Sequence, residues 1–434
     1  MSAADYPALL DRLDGLRALG VDFGLDRIER ALALLGAPQR RLPAVQIAGT
    51  NGKGSTAAMP EAILRASGLR TGLYTSPHLY RFTERIRVEG IEADGDRLAR
   101  LDHAIEATGI PLTYFEVATL LAFMLMAEDH VELAVLETGL GGRLDAVTTC
   151  HPLATAVTSI GWDHTDYLGT TLRAIAREKA GIIKPGVPHF IARLPDEAEQ
   201  EMERAAHLAG APLRRLGRDF VIPSTASALN GAHQRSNAAL AVALAREAGR
   251  RLGRAVSDAS IDEGLAAVRW PGRLEWLGPD LLLDCAHNPE GAEALAAALP
   301  GLAAGRPVAL VISVVAGKDL AGIVRPLLPA FDWIVATRSH NRRALPAVAL
   351  GAALESALAS RGPAVDRARG GNAVGVSVVD DPMAAIAEGR RRLGPGASDR
   401  QPLVVIAGSI FLVGEVRGTL LGERTDPRPV SDPM

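Results

Sequence analysis

The sequence predicts an α/β protein of two units, each a mainly parallel sheet covered by helices. Three observations carry this. Short β-rich apolar runs alternate with alanine-rich stretches of helical periodicity, the pattern of strands joined by crossover helices. The alternation restarts after Trp270-Pro271-Gly272-Arg273, where Pro-Gly breaks both element types. The chain also has 434 residues, about three times a usual domain of roughly 150.

In chain order, Ala44–Ala48, Val131–Glu137, Ala154–Ile160 and Pro188–Ala192 read as buried strands of the first unit. Leu281–Cys285, Val308–Val314, Trp333–Ala336 and Leu403–Ala407 read as strands of the second, smaller unit. The expected boundaries are 1–271 and 272–434. Residues 424–434, with three prolines and little apolar content, are expected to form a disordered tail.

Composition narrows the function classes. A hydrophobic content of 48% with 22% charged residues supplies ample core material and argues against disorder. Forty-seven basic against 50 acidic residues leave a net charge of −3, so no global field draws the chain to nucleic acid or anionic membrane. Two cysteines, Cys150 and Cys285, build neither a disulfide framework nor a four-cysteine zinc site. The longest apolar stretch, Leu120–Ala127, is far short of the ~20 residues of a membrane helix. The expectation is a cytoplasmic monomer acting on small molecules, with no nucleic-acid or membrane partner.

The most informative segment is Val45 to Thr56, a strand running into Gly49-Thr50-Asn51-Gly52-Lys53-Gly54-Ser55 and then a helix. Glycines let backbone N–H groups approach phosphate oxygens, the helix N-terminus adds partial positive charge, and Lys53 reaches the terminal phosphates. The spacing departs from the usual phosphate loop because Gly54 separates the lysine from Ser55. A purely structural turn is the alternative. Pro60 stands beyond the first turn of the expected helix, so a kink or a later helix start is expected.

Collinear with this loop are Thr75-Ser76-Pro77-His78-Leu79, Glu84-Arg85-Ile86, Glu137 to Asp145, Asp163-His164, Arg177 to Ile182, Pro271-Gly272-Arg273, Asp284 to Pro289, and Gly408-Ser409. Together these segments resemble the Mur ligase superfamily, specifically the folylpolyglutamate synthases and the bifunctional dihydrofolate synthase/folylpolyglutamate synthases. The resemblance implies a P-loop-containing N-terminal domain with a mainly parallel sheet and a smaller C-terminal Rossmann-like α/β domain. It also implies ATP-driven amide formation: a pteroate or folate carboxylate takes the γ-phosphate, and the amine of L-glutamate displaces it from the acyl phosphate. Dihydropteroate and reduced folates are the implied acceptors. A monofunctional folylpolyglutamate synthase is the nearest rival, a peptidoglycan Mur ligase a more distant one, and a nucleotide switch without ligase chemistry the reading from another class.

By the same resemblance the catalytic residues are Lys53, Lys179, His164 and Arg273. ATP falls to Thr50, Asn51, Gly52, Lys53, Gly54, Ser55, Asn237, Arg273, Asp284 and His287. Two Mg²⁺ ions fall to Ser76, Glu137, His164 and Lys179, the last as a carbamate, which turns a repelled cation into an oxygen donor. The pteroate moiety falls to Asp22, Phe23, Gly24, Leu25, Thr113, Tyr114, Phe115, Glu116, Leu144, Asp145 and Ala146. Cys285 and Gly317 depart from the residues usual at their positions. Physical readings stay open beside these. Glu137 closes a buried strand at the sheet's carboxyl edge, where it serves either as a ligand or as a rim partner of Arg143. Lys179 alone reads as a surface lysine near Glu178, His164 as a structural histidine, and Tyr114 and Phe115 as core.

Overall fold

The structure is a computed structural model that describes residues 5–17, 20, 22–360, 374–394, 401–423 and 425–426. The chain divides into two compact units, Met1–Ala228 with Gln234–Arg269 and Asp426–Met434, and Leu229–His233 with Trp270–Thr425. Apart from the short segment Leu229–His233, the chain passes to the second unit after Arg269 and returns to the first at Asp426. The tail expected over 424–434 is corrected at Asp426, which is buried and hydrogen-bonded to Tyr6 and Phe82. Residues 424 and 427–434 lie outside the described residues.

In the first unit the strands are β1 (Pro43–Ala48), β2 (Thr71–Tyr74), β3 (Ile86–Val88), β4 (Ile91–Glu92), β5 (Leu133–Glu137), β6 (His151–Val157), β7 (His189–Ile191) and β8 (Leu213–Arg215). Their order is β4-β3-β2-β5-β1-β6-β7-β8, parallel except where β3 meets β2 and β4. β1 and β5 are apolar almost throughout because helices cover both faces of a parallel sheet. One face packs Leu9, Leu13, Phe82 and Phe123, and another cluster gathers Ile175, Ile182, Ile191 and Met202. β6 ends at Val157 rather than at Ile160, since Thr158 and Ser159 turn to bind the neighbouring loop.

Behind β1, the helix Lys53–Ala66 is buried from Gly54 through Leu64. The helices Gln234–Leu252 and Asp258–Ala267 pack against it, so closely that a Cβ on Gly264 would fall 2.5 Å from the Ile63 Cα. The later helix start expected from Pro60 is corrected. The helix begins at Lys53 and continues through Pro60, because burial along both sides outweighs one missing backbone bond.

The second unit contains β9 (Glu275–Trp276), β10 (Leu281–Leu283), β11 (Val308–Ile312), β12 (Trp333–Ala336), β13 (Gly375–Val378) and β14 (Leu403–Ala407). They run in the order β13-β12-β11-β14-β10-β9, all parallel save the β9 edge. Its core is separate and gathers Leu282, Leu310, Ile312, Phe331 and Val405. Among the described residues, no helix is long and apolar enough to cross a membrane.

Candidate active site

The loop after β1 sits at the carboxyl edge, between the ends of β5 and β6. Its glycines are required by geometry. Gly49 has φ +150° and a Cβ there would lie 1.9 Å from Thr158 Oγ1; Gly52 has φ +83° and a Cβ would lie 2.8 Å from Asn237 Oδ1. The residues after β6 bind the loop from one side: Asn51 N–H donates to Ser159 Oγ (2.9 Å), Thr158 Oγ1 donates to Asn51 O (2.6 Å), and Gly161 N–H donates to Thr50 Oγ1 (3.0 Å). The helix starts at Lys53 itself, and Lys53 Nζ folds back to donate to the carbonyls of Gly49 and Thr50, both at 3.1 Å. On the other side Gln234 donates to Ser55 Oγ (3.4 Å) and Asn237 to Gln234 (2.9 Å), which places Asn237 beside the loop.

Lys179 completes this cluster. It is buried, and its Nζ donates to the same Gly49 carbonyl at 2.9 Å, so two lysines converge on one oxygen. Burial, reinforced by the Lys53 charge, brings its pKa down from 10.5 to about 7. The surface reading of Lys179 is thereby overturned: Glu178 pairs instead with Arg143 at 3.0 Å. That pair also removes Arg143 as the rim partner of Glu137.

Glu137 ends β5 opposite Ile47, and the next residue, Thr138, donates its N–H to Ile47 O at 2.9 Å. The carboxylate is buried and accepts the Ser76 N–H at 3.2 Å, so the structure brings Ser76 and Glu137 together near the loop. Among the described residues no three His, Cys, Asp or Glu side chains converge on one point. His164, at φ +51°, places its Nε2 3.8 Å from Asp163. One buried carboxylate with a neighbouring serine fits Mg²⁺, which keeps waters and takes phosphate oxygens for its remaining positions.

The segments expected to hold the pteroate divide. Phe23 is 43% exposed and meets Tyr167 edge-on at 5.9 Å. Phe115 is half-buried with its ring over Gly139, where a Cβ would intrude to 2.4 Å. Asp22 and Glu116 are bridged by Arg27, while Thr113 and Glu116 cap the helix Tyr114–Glu128 reciprocally. Tyr114 is corrected to core: it is fully buried, edge-on to Phe82 and under the Arg85 guanidinium. Asp145 accepts the N–H groups of Gly139, Leu140 and Val147 at 2.9–3.0 Å, and burial nonetheless raises its pKa to about 7. It shapes the Gly139–Asp145 loop. Leu144 is half-buried and Ala146 buried, and Gly24 and Leu25 precede the helix Asp26–Leu34.

In the second unit, Asp284 accepts the N–H groups of Leu274 and Ala286, both at 2.9 Å, and burial raises its pKa. His287 Nδ1 lies 2.8 Å from Cys285 O, and Arg273 donates to Gly272 O at 3.1 Å. All three stand around the carboxyl end of β10.

Sequence reasoning passed over Thr158 and Ser159, whose signal is a pair of hydroxyls directly after an apolar strand. It also passed over Gln46, the one amide in β1, which is fully buried and donates to Thr138 Oγ1 (3.3 Å) and Thr148 Oγ1 (2.8 Å) beneath the Glu137 loop.

Comparison with known proteins agrees with this geometry. Residues 47–219 match the Mur ligase middle domain and residues 272–410 the Mur ligase glutamate ligase domain. The dihydrofolate synthase/folylpolyglutamate synthase of Mycobacterium tuberculosis is 34% identical over 94% of this chain and 91% of its own length. Among solved structures, Escherichia coli FolC in complex with DHPP and ADP superposes with a TM-score of 0.85 at 30% identity, over 97% of this chain and 99% of that one. A bifunctional folylpolyglutamate synthase/dihydrofolate synthase with Mn, AMPPNP and L-glutamate bound gives a TM-score of 0.82 at 30% identity, over 96% and 98%. The chain belongs to the dihydrofolate synthase/folylpolyglutamate synthase family of the Mur ligases, and it is an ATP-dependent ligase.

Proposed function

We propose that this chain joins L-glutamate to dihydropteroate and to reduced folates, each through an acyl phosphate. The observation that carries the reading is the convergence of Lys53 and Lys179 on the Gly49 carbonyl, one residue past the strand that pairs with the buried Glu137. A nucleotide switch has no use for a second, buried lysine there, whereas a ligase that moves a phosphoryl group between two anions needs Lys53 at the phosphates and a further group beside it that can help hold a metal.

In this scheme the N–H groups of the 49–55 loop hold the phosphates, Lys53 leaves its carbonyl partners for the terminal phosphate, and the acceptor carboxylate attacks in line. The glutamate amine then adds to the acyl carbon and phosphate departs. Ser76 and Glu137 would hold Mg²⁺, which when bound neutralises phosphate charge. His164 as a further ligand and a second ion belong to the same proposal, as do Arg273, Asp284, His287 and Asn237 as nucleotide contacts. So does Lys179 as a carbamate. With its pKa near 7, about half of this amine is neutral and reactive toward CO₂ at pH 7, against about one in 3,000 for an ordinary lysine. The exposed Phe23 and the Phe115 ring over Gly139 support a flat acceptor on the pteroate side. The protein is proposed to act as a cytoplasmic monomer.

The test is Mg²⁺·ATP-dependent phosphate release with L-glutamate, run in parallel with dihydropteroate and with tetrahydrofolate. Turnover with both is expected. Turnover with tetrahydrofolate alone would leave a monofunctional folylpolyglutamate synthase, and turnover with neither would refute the ligase reading.

A further inference from the structure

We infer that Asp426, at the far end of the chain, is a positioning residue that holds the Ser76 segment in place for metal-dependent turnover. This deepens the ligase reading and rests on it. Ser76 is carried by an excursion between β2 and β3, closed at its neck by Thr75 N–H donating to Arg85 O at 2.9 Å. Two carboxylates organise the tip of that excursion. Glu84 accepts the N–H groups of Leu79, Tyr80 and Arg81 at 2.9, 3.0 and 2.7 Å. The next N–H, that of Phe82, donates to Asp426 at 2.7 Å.

Asp426 grips the tip twice, because its own N–H also donates to Tyr80 O at 3.1 Å. Its carboxylate in turn accepts the Tyr6 hydroxyl at 3.0 and 3.1 Å. Tyr6 is itself fixed, since its ring fills the space a side chain at Gly95 would need. Asp426 is only 8% exposed and Phe82 fully buried, so this acceptor is not readily replaced by water.

From Phe82 the contact continues to Ser76. Phe82 opens the short helix Phe82–Arg85, and Arg85 Nε at its end donates to His78 Nδ1 at 2.8 Å. His78 stands two residues from Ser76, whose N–H is bound by Glu137. Removing the Asp426 carboxylate leaves the buried Phe82 N–H without its acceptor and frees the tip to move. The Ser76 hydroxyl then meets the Glu137 carboxylate less often in the geometry a cation needs.

The experiment compares full-length wild type with Asp426→Ala, Asp426→Asn and Tyr6→Phe. Asparagine keeps an acceptor for Phe82 and a donor toward the Tyr6 oxygen. Hydrogen exchange is followed over residues 76–85, and turnover is titrated with Mg²⁺ at saturating ATP. Asp426→Ala is expected to speed exchange there and to raise the Mg²⁺ concentration for half-maximal turnover roughly tenfold. AMPPNP affinity in EDTA should stay unchanged. Asp426→Asn should restore both readouts, and Tyr6→Phe should give a smaller shift in the same direction, which serves if the alanine variant does not fold. Unchanged exchange would overturn the inference, and so would faster exchange with an unaltered Mg²⁺ response, the mark of a purely structural contact. If wild type shows no Mg²⁺-dependent ligation, it is the ligase reading that fails.

Discussion

Replacing Lys179 by methionine should make the protein more stable and nearly inactive, with the gain in stability confined to neutral and acidic pH. Folding lowers this amine from 10.5 to about 7, chiefly by burial and then by the charge of Lys53. At ~1.4 kcal/mol per tenfold, the protonated amine costs about 5 kcal/mol of folding stability. Folded and unfolded chains are both protonated below pH 7, so the penalty is complete there. Between pH 7 and 10.5 only the unfolded chain is protonated, and the penalty is relieved as pH rises.

Methionine removes this penalty but forfeits the 2.9 Å bond to Gly49 O, worth about 2 kcal/mol for a charged donor. Lys53 still serves that oxygen at 3.1 Å. The net gain is about 3 kcal/mol at pH 6, falling to nothing or reversing by pH 10. Denaturant unfolding of wild type and Lys179→Met in bicarbonate-free buffer, from pH 6 to 10, measures it. Turnover assayed with bicarbonate present should fall by roughly 10²-fold or more, because methionine cannot form the carbamate proposed at this position. A variant less stable than wild type at pH 6, or a gain independent of pH, would refute the reasoning.

Other expectations follow from the same geometry. Gly49→Ala forces a Cβ to within 1.9 Å of Thr158 Oγ1; calorimetry with AMPPNP should show binding abolished, with stability lowered by about 1–3 kcal/mol. Glu137→Gln keeps an acceptor for the Ser76 N–H, so the melting temperature should hold while Mg²⁺-supported turnover collapses in a steady-state assay. Phe115→Ala should raise KM for dihydropteroate about tenfold and leave KM for ATP alone; a loss of about 3–5 kcal/mol in stability with both KM values unchanged would mark the ring as core.

Most of the sheet was legible because buried parallel strands are unbroken apolar runs. β12 and β14 begin and end where the pattern does. The run Ala154–Ile160 misled at its end, where Thr158 and Ser159 follow the strand in β-like composition but spend their hydroxyls on the phosphate loop. β2 was missed because Thr71-Gly72-Leu73-Tyr74 carries little apolar signal. Its glycine is there for Met126, whose sulfur would lie 2.8 Å from a Cβ. At the site, the loop and Glu137 could be placed from strand-end position alone. Lys179 could not, since nothing local distinguishes it from a solvated helix lysine and only tertiary packing buries it against Gly49. Tyr114 fails for the converse reason: adjacent to Phe115 in sequence, it points the other way round the helix, into the core.

The helix behind the phosphate loop is enclosed for eleven consecutive residues, Gly54 to Leu64. A segment so enclosed has no cheap local opening of its own, and its amides exchange only with the whole unit. Heat therefore takes the catalytic loop and the fold of the first unit together. Loss of activity on warming should be a single cooperative event, and a preparation partly inactivated by heat should be a mixture of intact and unfolded molecules rather than a population of weakened ones.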